Sequence, residues 1–313
     1  MSDGSRAEGG RRSDEDPSGH HHARRRYLTA KRSVDDRARD RRVRERLLRA
    51  LPDHPHVVEA GCGAGLSVPT LYEWGVTPAS YRGVDTDTGI VPFARHLVSR
   101  VLRRRGYEAV GTTEGCRVEG VEVVFEIGDA LRRLPSAGPE AASEPGESDA
   151  GLGADLLLAQ SFLDLVPLDS ALDAAEHALS PDGLAYAPVT FDGVTAFLPG
   201  HPADERVIEA FHRDIDSTPG RDVRAGRHLL ERLGERGDRI HAVGASNWIV
   251  RPVDGRYPAD ERYFLACILR FVADALDDVE GGPEWLETRR RQLRAGELTY
   301  VAHNYDVLWS PRG

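Results

Sequence analysis

At 313 residues the chain is long enough for one large domain or two modest ones, and it has no run of about eighteen apolar residues that would cross a bilayer. Cys62, Cys116 and Cys267 stand far apart and never as C-x-x-C, which argues against a disulfide framework or a zinc site and fits a cytoplasmic setting. The first fifty residues hold fifteen basic against nine acidic side chains, a net of +6; the whole chain is −10, so the other 263 residues carry −16, a poor electrostatic partner for nucleic acid.

Residues 1–26, polar with a His20–His22 run, lack apolar periodicity and are expected to be a disordered tail without a secretory signal. Residues 27–52 are expected to form an N-terminal cap helix. Ser33 and Asp36 resemble a capping-box start, Val43, Leu47, Leu48 and Leu51 give an apolar stripe, and Pro52 ends it. Strands and helices then alternate through residues 53–192. The pattern predicts strands at 57–60 and 81–84, and helices at 66–74 and 90–105, the second burying Phe93, Leu97, Val101 and Leu102. A third strand is expected at 121–127, followed by a flexible insertion over 135–153. The run ADLLLA at 154–159 reads as a central strand covered on both faces. A helix at 168–179, a turn at Ser180–Gly183 and a fifth strand at 184–191 follow. Residues 193–313 are expected to complete the sheet, with strands at 240–250 and 298–309 and helices at 203–215, 228–236, 263–276 and 284–293. The fold class is therefore α/β: a doubly wound, mostly parallel, seven-stranded sheet with helices on both faces and extra helical lid segments. The Arg runs at 24–26, 103–105 and 289–291 are expected on solvated helix faces or in the tail.

The stretch VVEAGCGAGL leaves the first strand through an acid and three alternating glycines, Gly61, Gly63 and Gly65. A strand, then glycines, then a helix puts open main chain at the carboxyl edge of the sheet, where ligands of such sheets bind. The spacing is not that of a dinucleotide turn, because Leu66 stands where its third glycine belongs. Nor does it end as a phosphate P-loop does, in Gly-Lys-Ser/Thr.

With these residues the chain resembles the class I S-adenosylmethionine-dependent methyltransferases, over roughly residues 55–192. The acid plus G-x-G-x-G motif is matched by Glu59-Ala60-Gly61-Cys62-Gly63-Ala64-Gly65. The acid ending the second strand is matched by Asp85, followed by Thr86, twenty residues after Gly65. Gly128-Asp129-Ala130 follows the third strand, Gln160, Ser161 and Phe162 tip the fourth, and LSPDG precedes the fifth. The resemblance implies S-adenosyl-L-methionine as cofactor, no metal, and these roles. The glycine turn, Cys62 included, lies against the methionine half and Glu59 orients that turn. Asp85 takes the ribose hydroxyls by charge-assisted bonds. Asp129 accepts from adenine, with a competing helix-capping role, and Ala130 marks the ring's slot. Asp87 is the nearby rival of Asp85.

Methyl transfer is an in-line displacement that needs a base only if the acceptor must lose a proton. Asp164, Thr190, Asp192 and His201 are the candidates for the acceptor side. Tyr27, Lys31 and Arg32 precede the first strand and are candidates for folding over the cofactor, Lys31 or Arg32 pairing with a carboxylate of cofactor or substrate, the competing reading being a solvated helix start. Helical insertions late in the chain suggest a lid and hence a small-molecule acceptor. The aromatic stretches GASNWIV and YVAHNYDVLW are candidate pocket walls. Two other readings remain open: methylation of RNA or protein, and a non-catalytic cofactor-binding regulator. A nicotinamide oxidoreductase is disfavoured by the glycine spacing. Neither the acceptor nor the oligomeric state is legible.

Overall fold

The computed structural model describes residues 25–134 and 153–312. The expected tail and the expected insertion fall almost wholly outside the described residues, except that Arg25 and Arg26 already form the first turn of a helix. That helix, α1 (Arg25–Ala38), and α2 (Arg41–Ala50) replace the single cap helix expected. The break is made by Asp40, which adopts extended backbone and caps α2, its Oδ1 accepting from the Arg42 and Val43 amides at 2.8 and 2.9 Å. Ser33, expected to start the helix, lies inside α1 and donates its hydroxyl to Glu261 at 2.9 Å.

β1 (His56–Ala60), α3 (Ser67–Glu73), β2 (Ser80–Asp85) and α4 (Ile90–Arg104) follow. α4 buries Ile90, Val91, Ala94, Val98 and Leu102; Phe93 and Leu97 only flank the core and Val101 is half-buried, because the helical period carries the inward face through 90, 91, 94, 98 and 102. A short hairpin, β3 (Ala109–Gly111) and β4 (Gly115–Val118), precedes β5 (Val121–Ile127) and the one-turn α5 (Ala130–Arg133). β6 (Ala154–Leu158) leads through a single 3-10 turn, Leu163–Leu165, into α6 (Leu168–Ala178) and the long β7 (Leu179–Leu198). The turn expected at Ser180–Gly183 is a bulge inside β7: Leu179 pairs with Ala154 and Leu184 with Leu156, and the residues between are extra. α7 (Asp204–Ser217), α8 (Ala225–Arg236), β8 (Arg239–Ala245), β9 (Trp248–Val250), α9 (Glu261–Ala273), α10 (Gly282–Ala295) and β10 (Thr299–Ser310) complete the chain.

The sheet runs β3-β4-β5-β2-β1-β6-β7-β10-β8, with β9 beside β10. β5, β2, β1, β6 and β7 are mutually parallel, and β10 is antiparallel to its neighbours. It is the doubly wound α/β sheet expected, with ten strands rather than seven: the hairpin adds two at one edge, and the expected strand 240–250 is split by Ser246 and Asn247. Chain order reverses at β1, between β2 and β6, which is where such sheets hold ligands. No helix among the described residues is long and apolar enough to cross a membrane.

β7 and β10 outrun the parallel sheet. Phe191–Leu198 pairs with Thr299–Asn304 beyond the carboxyl edge, and β9 joins there. On this extension α1, α7, α9 and α10 build a second core, with Val34, Phe197, Val207, Phe264, Trp285 and Tyr300 among its buried residues. The helices expected as lid segments pack into this lobe. Arg289, expected on a solvated face, is fully buried in it, paired with Asp204 and donating to the Pro199 carbonyl. A buried cation persists only when so paired.

Candidate functional site

The three turn glycines all have positive φ, +66° at Gly61, +50° at Gly63 and +70° at Gly65, a region that other residues enter at a cost. Gly61 and Gly65 also lack room for a side chain, and Gly63 is tight. The Phe162 ring occupies the space a Cβ at Gly61 would need, a Cβ at Gly63 would lie 3.3 Å from Leu28, and one at Gly65 would lie 2.6 Å from Phe125. The Cys62 amide donates to the Val84 carbonyl at 3.1 Å, and buried Cys62 fills the space beside Gly83.

Asp85 closes the constellation. It stands at the end of β2 and accepts from the Gly63 amide at 2.8 Å and from the Asp87 amide at 2.9 Å. Burial raises its pKa, and the two amide bonds oppose that rise. Its rival Asp87 spends Oδ1 on the Gly89 and Ile90 amides at the start of α4. Thr86, between them, is exposed. Glu59 does not touch the glycine amides: it is buried, accepting from the hydroxyls of Ser67, at the head of α3, and Tyr81, on β2. It braces the turn from behind. Asp129 caps α5 through the Leu131 amide at 3.0 Å, and Ala130 is buried beside Leu134.

The chain just past the tip of β6 and the middle of β7 are strained together. Ser161 has φ +48° and Val189 φ +59°, and the Ser161 amide donates to the Pro188 carbonyl at 3.0 Å. A β-branched residue in the left-handed region persists only where its surroundings over-determine it. Asp306 supplies part of that, accepting from the Val189 amide at 2.9 Å and the Tyr186 hydroxyl at 2.9 Å. Above the tips lies α1. Lys31, only 7% exposed, donates to Asp35 at 2.7 Å and to the Ser161 hydroxyl at 2.8 Å, and its ammonium sits 5.1 Å from the Trp248 ring centre. Asp35 also accepts from Gln160 at 2.9 Å and from the Trp248 indole at 2.9 Å, while Arg39 donates to Gln160 at 2.6 Å. Asp35, Arg39 and Leu28 are absent from the sequence-based candidates; the Lys31–Asp35 helical spacing was the signal that could have pointed to the first.

Several candidates lie elsewhere. Arg32 pairs with Glu73 at 3.1 Å on the outer side of α1, so it is not beside Ser161. Tyr27 is core, its ring 5.8 Å from Phe264 and 5.3 Å from Phe271. Trp309 and most of the Trp248 ring are likewise packed in cores. Thr190 is buried and donates to the Ala187 carbonyl at 3.3 Å. Asp192 is held in a bidentate pair by Arg227, which also donates its amide at 2.9 Å. His201 belongs to the start of α7, its ring nitrogen accepting from the Ala203 amide at 3.1 Å. It follows the end of β7, about 26 Å of strand beyond Thr190. Asp164 alone of the four acceptor-side candidates lies at the strand tips with a carboxylate oxygen unengaged.

The chain matches no protein-family model and no curated protein. Among solved structures it is similar to a geranyl diphosphate methyltransferase in complex with SAM, at 14% identity over 95% of this chain and 93% of that one, TM-score 0.43. It is similar also to the geranyl diphosphate C-methyltransferase of Streptomyces coelicolor A3(2), at 13% identity over 95% and 86%, TM-score 0.43. A third is a SAM-dependent methyltransferase from Thiobacillus denitrificans, at 14% identity over 92% and 99%, TM-score 0.43. Overlaps this loose decide neither reaction nor acceptor.

Proposed function

We propose that the chain is an S-adenosyl-L-methionine-dependent methyltransferase acting on a small-molecule acceptor. The observation that carries the reading is the Asp85–Gly63 bond at 2.8 Å, which makes the acid of β2 and the glycine turn after β1 one constellation where strand order reverses. The donor set fits the cofactor. A carboxylate offers about four lone-pair sites; the Gly63 and Asp87 amides take one on each Asp85 oxygen, leaving acceptor capacity for a ribose diol. A turn whose only side chains, Cys62 and Ala64, are both buried lets a compact zwitterion lie close to the main chain, and Ala130 and Phe162 suit a flat ring.

When bound, the cofactor supplies an electrophilic methyl group. The chain's own residues bind, orient and exclude water. Holding nucleophile and methyl in line at about 3–3.5 Å can supply roughly 7–11 kcal/mol of barrier reduction. α1 covers the turn, with Leu28 over Gly63 and Lys31 on Ser161, which favours a water-poor site and a small acceptor over a polymer. The net of −16 outside the first fifty residues supports the same choice.

Calorimetry with S-adenosylhomocysteine tests the reading. Asp85→Ala should weaken binding by about 1.5–3 kcal/mol, the worth of hydrogen bonds to a charged group. Unchanged affinity would move the ribose contact elsewhere, and a wild-type protein with no affinity at all would end the proposal. Binding without methyl transfer to any small-molecule pool would leave a cofactor-binding regulator.

A further inference from the structure

Asp164 sits in the 3-10 turn that follows the strained tip of β6, two residues after Phe162, whose ring closes on Gly61. Its Oδ1 is buried and has no hydrogen-bond partner. An ionised carboxylate oxygen left bare in the interior is costly, and such groups in native folds call for an explanation. The surrounding structure holds Asp164 in place. The Asp222 amide donates to its carbonyl at 3.1 Å, and the Leu165 amide closes the turn on the Phe162 carbonyl at 3.0 Å.

The charges facing it come from two directions. Lys31 of α1 and Arg221 of the α7–α8 connection favour its ionised form, Asp222 opposes it, and the buried Tyr27 hydroxyl lies within its field. Lys31 directs its hydrogen bonds to Asp35 and Ser161. Burial outweighs both the residue's own amide, which favours the ionised carboxylate, and the two cations, and pushes the Asp164 pKa up to about 6. A carboxyl poised near neutrality, with one bare buried oxygen, in the turn that carries Phe162 onto Gly61, is suited to receive a proton.

We propose that Asp164 is the catalytic residue that takes the acceptor's hydrogen, and that the acceptor is a small molecule presenting an O–H or N–H group to Oδ1. The inference rests on the methyltransferase reading. A carbon nucleophile offers no comparable hydrogen-bond donor, and a thiol, already acidic, needs little help from a base. In the transfer the acceptor's oxygen or nitrogen forms a bond to the methyl carbon. The carbon–sulfur bond breaks with its electron pair on sulfur, and the acceptor's proton goes to Asp164 and from there to water.

The test uses the full chain with [4-¹³C]aspartate, the Asp164 signal being assigned by its loss in Asp164→Asn. Phenol and benzylamine serve as O–H and N–H probes, anisole as a shape control and thiophenol as the sulfur rival. With S-adenosylhomocysteine bound, phenol or benzylamine should move the Asp164 titration midpoint and anisole should not. With the methyl donor, that same probe should be methylated, and Asp164→Asn should slow the transfer by about 100-fold or more. The variant should still bind S-adenosylhomocysteine within two-fold of wild type. Asp169→Asn, on the exposed side of α6, should change none of these. A midpoint unmoved by both probes, transfer to thiophenol alone, or undiminished transfer in Asp164→Asn would overturn the assignment. If S-adenosylhomocysteine fails to bind while phenol still moves the midpoint, the cofactor reading falls and the donor-binding role of Asp164 stands.

Discussion

Glu59 shows how a single side chain in the turn can set a property of the whole protein. Its carboxyl accepts from Ser67 and Tyr81, yet burial outweighs both bonds and raises its pKa to about 7. The folded state therefore holds this proton more tightly than the unfolded chain, whose glutamate titrates near 4.5. Glu59 weighs least on stability below about pH 4.5, and its contribution becomes steadily less favourable as pH rises to about 7. The full span is on the order of 3 kcal/mol. Glu59→Gln, which keeps the shape without the charge, should flatten that decline. In urea titrations at pH 5 and pH 8 its stability relative to wild type should rise at the higher pH; a constant difference would mean that Glu59 titrates as if solvated.

At the scale of the elements, the turn glycines separate backbone strain from crowding. Gly65 has φ +70° and a Cβ there would meet Phe125 at 2.6 Å and Val98 at 2.8 Å; Gly75, with φ +79°, has nothing within 4 Å. Gly75→Ala should cost only the left-handed penalty, about 1–2 kcal/mol. Gly65→Ala should add overpacking, for about 2–5 kcal/mol in all. Equal losses in thermal unfolding would show that Phe125 yields freely. The same elements mark what a sequence can reveal. β5 announces itself because VEVVFEI is an isolated β-branched run, and β1, β2 and β6 do so by their apolar character and flanking breaks. The β3–β4 hairpin does not, since strands of three and four residues carry no period. The break in the cap helix is hidden because Asp40 reads as one more charge in an Arg-rich run until its capping bonds are seen. Glu59 and Asp85 can be singled out in the sequence because they close strands on either side of the glycines, and Ser161 because it stands in the polar cluster that ends an apolar run. Asp35 cannot: its hydrogen bond to Trp248 joins positions 213 residues apart, which only the tertiary fold brings together. Asp192 was found as an acid at the right edge, but sequence gives no hint that Arg227 occupies both its oxygens.

At the scale of the molecule, α1 is the bond between the two cores. Tyr27 and Val34 belong to the lobe, Leu28 reaches the glycine turn, and Asp35 gathers donors from α1, β6 and β9. Asp35→Ala leaves the Lys31 ammonium buried without its counter-charge, a change that typically costs about 3–5 kcal/mol. Amide hydrogen exchange should then rise in α1 before it rises in α9 or β10. Uniform acceleration across both cores would instead mean that α1 does not unlatch on its own.

The two long strands that thread both cores fix how anything can enter between them. A hinge needs a few residues free to absorb rotation, and β7 and β10 are laddered together from Ala185–Trp309 through to Leu198–Thr299. Opening the molecule like a clamshell would shear that ribbon, whereas peeling back the helix N-terminal to Asp40 would break side-chain bonds and the packing of Tyr27, Ala30 and Val34 and leave the strand ladder whole. Any parting of the two cores would therefore begin at that helix, with the ribbon beside it left whole.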